Sequence, residues 1–126
     1  MNVNKVMFAF LIMLALTLNL GFFVGEFDDP NHHHIYELYA AIIVSLIATV
    51  LKFGDRTHIG AVMLAASLVA DIQLIAAAIV WGLGTTVLGY SEHLLMPSIV
   101  SLAGGAVAAN IISVVLLIVE TVMVRR

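Results

Sequence analysis

Four apolar runs, at about residues 6–24, 36–53, 59–81 and 97–122, are joined by links too short to hold a domain of another kind. A helix needs about 20 apolar residues, at ~1.5 Å rise each, to cross a bilayer core. Each run is long enough. The 126 residues are 63% hydrophobic and 10% charged, and a soluble domain of this size could not cover so much apolar surface. The expected fold is all-α: one polytopic membrane domain over residues 1–126, a four-transmembrane-helix bundle. The first run follows Lys5 as a signal peptide might, but no small-x-small cleavage site precedes Gly25 and Glu26. It is expected to remain as a helix.

The charges orient this bundle. Lys5 precedes the first run, Lys52 and Arg56 flank the second link, and Arg125 and Arg126 follow the fourth run. An even number of crossings brings all five to one face. The opposite face holds Glu26, Asp28, Asp29, Glu37 and Glu92 without a Lys or Arg. The positive-inside rule then predicts both termini in the cytoplasm, N-in/C-in. Tyr36, Tyr39, Trp81 and Tyr90 fall on the outer side, as an interfacial aromatic belt would. A bacterial inner (plasma) membrane is the expected location. The acidic outer rim would raise the local cation concentration, or it is simply what remains once basic residues are kept inside. This distribution argues against nucleic acid as a partner.

Asp71 lies near the middle of the third run, and no basic residue of the chain shares its depth. A carboxylate there costs a few kcal/mol on insertion scales, roughly 2.5–3.5. It must be protonated, face water, hold a cation, or pair with another chain. Ser67, four residues earlier, shares its helix face. Asn110 in the fourth run is expected to hydrogen-bond another helix, and Asp71, Ser67 and Asn110 together could form an oxygen-rich site for a proton or monovalent cation. Gln73 is rotated about 200° from Asp71 and should also reach a neighbouring helix. The plainer alternative is a protonated Asp71 with only a packing role. Glu120, close to Arg125 and Arg126, is explained by interfacial pairing.

In the fourth run Ser101, Gly105, Ala109 and Ser113 recur every four residues, with Gly104 and Ala108 alongside. Small residues at this spacing let backbones approach, which drives association in lipid. Ala61, Ala65, Ala66 and Ala70 form a second small stripe. Either the third and fourth helices pack on these stripes within one subunit, or part of the fourth forms a subunit interface. Four short helices bury few side chains among themselves, so a homo-oligomer or a place in a larger membrane complex is expected.

The outer link carries His32, His33 and His34 before Glu37. If the second helix begins near Asn31, His33 or His34 falls on the same face as Glu37. With Glu92 and His93 of the other outer link they could ligate a divalent metal such as zinc. Consecutive histidines point in different directions, and an exposed His-rich loop also serves as a solvated cap or a pH-responsive surface. Asp29 or Asn31 can cap the second helix, with Pro30 in its first turn. On the inner side Gly54 ends the second helix, and Asp55 or Thr57 caps the third. Without cysteine there is no disulfide, thiolate nucleophile or Cys metal site.

The stretch Thr85-Thr-Val-Leu-Gly-Tyr-Ser91 resembles the potassium-channel filter pattern Thr-Val-Gly-Tyr-Gly. Leu88 interrupts it, Ser91 replaces the last glycine, and the third helix takes the space a pore helix would need. It is read as coincidence. Walker, HExxH, Gly-x-Ser-x-Gly and dinucleotide motifs are all missing, so an enzyme is not expected. Two functions remain. One is an oligomeric membrane protein forming or lining a proton or monovalent-cation pathway near Asp71. The other is a non-transporting accessory or regulatory subunit. No cofactor is expected beyond the metal considered for the outer link.

Overall fold

The computed structural model describes residues 3–24, 35–54 and 57–124. The described residues are almost entirely helical: α1 (Val3–Phe23), α2 (Ile35–Lys52), α3 (His58–Thr86) and α4 (Glu92–Val124). All four are long and apolar enough to span a membrane. The 18 residues of α2 rise about 27 Å and the 33 of α4 about 50 Å, so α4 exceeds the ~30 Å hydrocarbon thickness while α2 about matches it.

Local chemistry sets the helix ends. Thr57 caps α3 from an extended backbone (φ −72°, ψ 158°), its side chain accepting from the Gly60 N–H at 2.9 Å. That is one of the two caps the sequence offered; Asp55 lies outside the described residues, as do Asp29, Pro30 and Asn31. Ser91 does the same for α4, its Oγ accepting from the Leu94 N–H at 3.3 Å. The helix therefore starts five residues before Pro97, which sits inside it. The apolar run read from the sequence began only at residue 97, a proline, which a first turn accepts without losing a bond. At the end of α3 the Val87 and Leu88 N–H groups both donate to the Leu83 carbonyl at 3.0 Å, and Tyr90 N–H donates to Gly84 O at 2.8 Å. Gly89 turns the chain at φ 75°, where a side chain would be strained. The filter-like stretch is thus a helix end and a tight turn.

The helices run alternately up and down, and each packs on two neighbours in the order α1–α2–α3–α4 and back to α1, with α3 on α4 the most extensive contact. Glycines mark the close approaches. A Cβ on Gly104 would come within 2.7 Å of the Phe23 ring of α1, and one on Gly105 within 3.0 Å of the Gln73 side chain of α3. One end of the bundle carries the start of α1 and the end of α4 with Lys5, Lys52 and Glu120; the other carries Glu37, Trp81 and Glu92.

Apolar packing is divided in two. A larger cluster includes Phe22, Leu38, Leu74, Trp81, Met96 and Ile99. A smaller one at the terminal end joins Phe8, Ile12, Ala48 and Met63. Outward-facing positions are also apolar, among them Phe10, Ile43, Val50, Ile72 and Ile118. Buried polar residues are Asn19, Ser45, Thr49, Ser67, Asp71, Asn110 and Ser113, besides Lys52 and Glu120 nearer the ends. Apolar outside with polar inside reverses the pattern of a water-soluble bundle.

Candidate functional site

Each helix contributes to a polar layer between the two apolar clusters. On α1 Asn19 lies between Ile12 and Phe22; on α2 Ser45 lies between Ala41 and Ala48, with Thr49 one turn beyond it. On α3 Ser67 lies between Met63 and Ala70, with Asp71 next. On α4 Asn110 and Ser113 follow Ala109 and precede Val114. Helical periodicity explains the alignment: positions four apart fall on one face, so a single inward stripe supplies apolar residues above and below and a polar one between them.

Asp71 is only 5% exposed and its carboxyl is held by α2. Ser45 Oγ is 2.6 Å from Oδ1 and Thr49 Oγ1 is 2.6 Å from Oδ2, so one turn of α2 grips both oxygens. Thr49 Oγ1 is also 2.9 Å from the Ser45 carbonyl oxygen, the back-bond that helical threonines commonly make. These partners come from the helix that sequence reasoning left out of the site. The signal was present: Ser45 and Thr49 have the same i, i+4 spacing as Ser67 and Asp71.

Ser67 and Asn110, expected beside Asp71, are fully buried but hydrogen-bond neither Asp71 nor any other described group. The Asn19 amide and Ser113 Oγ share that condition. An unpaired buried polar group costs about 1–3 kcal/mol, so four such side chains in one layer is an expensive arrangement for a purely structural core. Gln73 is half-buried and lies against Gly105 of α4 rather than beside Asp71. Of the small stripe on α4, Gly105 meets α3, Ala109 and Ser113 are buried within the subunit, and Ser101 is exposed.

The ends carry their own polar contacts. Trp81 Nε1 donates to Glu92 Oε2 at 2.8 Å, and the Trp81 ring packs tilted against Phe22 at 6.0 Å. Glu120, 7% exposed, faces Lys5 of α1 at 3.8 Å; Arg125 and Arg126, its expected neighbours, lie outside the described residues. Lys52, 4% exposed, holds its Nζ 4.4 Å from the centre of the Phe8 ring. Of the metal-ligand candidates, His33 and His34 lie outside the described residues. Glu37 rests its carboxylate against Gly21, and His93 is exposed near the start of α4. Among the described residues no group of three or more His, Asp or Glu is placed to hold a metal ion.

No curated protein and no solved structure matches the chain. Residues 32–121, which include α2, α3, most of α4 and both hydroxyls that hydrogen-bond the Asp71 carboxyl, match a family of unknown function, and the chain therefore belongs to DUF6394.

Proposed function

We propose that this is an integral membrane protein, with both termini in the cytoplasm, that passes protons or monovalent cations by way of Asp71. The observation that carries this reading is the polar layer. A buried carboxyl shares the bundle interior with four buried side chains, Asn19, Ser67, Asn110 and Ser113, that lack hydrogen-bond partners among the described residues, within helices whose outer surfaces are apolar. Polar groups are costly to retain at such a depth and are characteristic of ion and proton paths. The asymmetry of the chain supports the orientation, with Lys and Arg gathered at the terminal end and acidic residues at the other. Because Asp71 faces α2 of its own chain, the pathway runs inside one bundle and needs no axis between subunits. Assembly into an oligomer or a larger complex remains part of the proposal for the lipid-exposed faces.

A second reading is favoured by a specific observation: both Asp71 oxygens are already occupied by hydroxyls in a sealed helix contact. On that reading the layer fixes the packing of an accessory subunit. Flux into vesicles separates the two. Purified protein is reconstituted and proton, sodium and potassium entry are measured for wild type and for Asp71→Asn at equal protein content. Asn keeps the size and hydrogen-bonding capacity and removes the titratable group. Ion entry that Asp71→Asn abolishes supports the pathway. Wild type passing none of the three ions establishes the accessory reading, and equal flux through both proteins removes Asp71 from the path.

A further inference from the structure

Three oxygen–oxygen contacts at Asp71 require three hydrogens. They are Ser45 Oγ to Asp71 Oδ1, Thr49 Oγ1 to Asp71 Oδ2, and Thr49 Oγ1 to the Ser45 carbonyl oxygen, at 2.6, 2.6 and 2.9 Å. A hydroxyl carries one hydrogen, so Ser45 and Thr49 supply two. With an ionised Asp71, Thr49 must divide its one hydrogen between the carboxylate and the carbonyl, and at least one of the two contacts is then left with a weak, poorly aligned bond. A proton on Oδ2 completes the set. Ser45 Oγ–H donates to Oδ1, Asp71 Oδ2–H donates to Thr49 Oγ1, and Thr49 Oγ1–H donates to the Ser45 carbonyl.

We propose that Asp71 carries a proton in this packed arrangement, and that the ligand of the site is the proton itself rather than sodium or potassium. This deepens the reading of Asp71 as the ion-carrying group. A metal cation set between a pair of these oxygens would hold them farther apart, since each metal–oxygen distance alone is already about 2.0–2.6 Å for magnesium and calcium. A proton is the one ion that fits between oxygens 2.6 Å apart. Loading and release are balanced: a hydronium ion gives its proton to Oδ2, an O–H bond forms there, and water leaves. The Thr49 hydroxyl hydrogen swings from Oδ2 to the Ser45 carbonyl, and release reverses both movements. Ser45 and Thr49 are positioning residues in this scheme. Of the charged groups on the packed helices, Glu37 of α2 rests against Gly21 and Glu92 of α4 accepts from Trp81 Nε1. Lys52 on α2 lies over Phe8, while Lys5 of α1 and Glu120 of α4 face each other at the terminal end. Asn19 of α1 and Asn110 and Ser113 of α4, the other polar groups of the layer on those helices, carry no charge.

Infrared spectra of the whole protein in lipid vesicles at neutral pH test this. Wild type should show the C=O stretch of a protonated carboxyl, and Asp71→Asn should lose it. Thr49→Val should shift the band to higher frequency, because the acid loses its acceptor, which a merely structural role for Thr49 would not do. Adding sodium or potassium at constant pH should leave the band unchanged. If Asp71→Asn does not fold, carboxyl-13C labelling of aspartate in wild type gives the same answer, since of Asp28, Asp29, Asp55 and Asp71 only the last lies within an apolar run. A neutral-pH spectrum with only ionised aspartate overturns the proposal, and so does a band that either cation erases. Flux distinguishes this failure from that of the pathway: a protonated Asp71 in vesicles that pass no ion leaves the inference standing and removes the transport reading. Flux through a protein whose Asp71 is ionised does the opposite.

Discussion

Removing both hydroxyls that grip Asp71, with Ser45→Ala and Thr49→Val together, should destabilise the bundle by about 1–3 kcal/mol through the carboxyl alone. Two cross-helix hydrogen bonds of 2.6 Å disappear, while Thr→Val preserves shape and Ser→Ala removes a single oxygen. Hydrogen bonds between helices in membranes average about 0.6 kcal/mol and reach about 1.7, which brackets the pair. The upper half of that range is expected, because Asp71 is 5% exposed and no third described residue hydrogen-bonds its carboxyl. The back-bond from Thr49 to the Ser45 carbonyl is also lost, so the raw difference overstates the effect. A double-mutant cycle isolates it. In an Asp71→Ala background the same pair of substitutions loses the back-bond but no carboxyl contact, and subtraction leaves the coupling. Unfolding by a denaturing detergent can be followed through Trp81, the one tryptophan, which sits toward the opposite end of α3. A coupling below about 0.5 kcal/mol would mean that α2 does not hold Asp71 in lipid, and the site as described would be wrong.

Two further expectations follow from the charges and the glycines. Reporters fused after Gly25 and after Gly89 should be found outside and one after Arg126 inside; a C-terminal reporter outside overturns the orientation. Gly105→Ala should be close to neutral, because the Gln73 side chain can yield the few tenths of an ångström that a Cβ 3.0 Å away demands, whereas Gly105→Leu should lose about 1–3 kcal/mol or more by forcing α3 and α4 apart. Wild-type size and thermal stability for Gly105→Leu in detergent would show that this approach does not matter.

The number and order of the helices were legible because each apolar run is long, uninterrupted and bounded by polar links. Thr57 was legible as one of two candidate caps, with Asp55, because a short polar side chain before a helix can accept from its first free N–H groups. The start of α4 was not: Ser91 lies in a stretch that also holds Gly89 and Tyr90, and Pro97 gave a competing start signal of its own. Asp71 stood out by its depth, yet its partners did not. Ser45 and Thr49 are unremarkable hydroxyls on a helix whose ends drew attention to Glu37 and Lys52. Which of four helices faces Asp71 depends on the rotation of each helix about its axis. In an apolar helix nearly all faces look alike to a periodicity argument. Asn19 was hidden for the same reason, and the Lys5–Glu120 pair because α1 and α4 are distant in sequence.

That uniformity also raises the question of what selects a single register. In lipid an apolar side chain gains little from one apolar neighbour over another, and a small residue every fourth position on α4 would let the helix slide by one turn and still pack. The polar contacts do not permit this. The α2–α3 pair is pinned by Ser45 and Thr49 on Asp71, α3–α4 by Trp81 on Glu92, α1–α4 by Lys5 on Glu120, and α1–α2 by Lys52 over Phe8. Of these pins the Lys5–Glu120 pair lies at the helix ends with Lys5 about half exposed, where water competes and weakens it. The Asp71 pin lies near the middle of α3, is 5% exposed and makes two hydrogen bonds across the helix pair, so it does the most to fix register. Holding register needs only oxygens and hydrogens in the right places, which Asn supplies as well as a neutral acid does. Carrying a proton needs the carboxyl. Asp71→Asn therefore separates the two roles at one position: a variant with wild-type stability and no flux assigns Asp71 to transport, and a variant with wild-type stability and no missing activity assigns it to register alone.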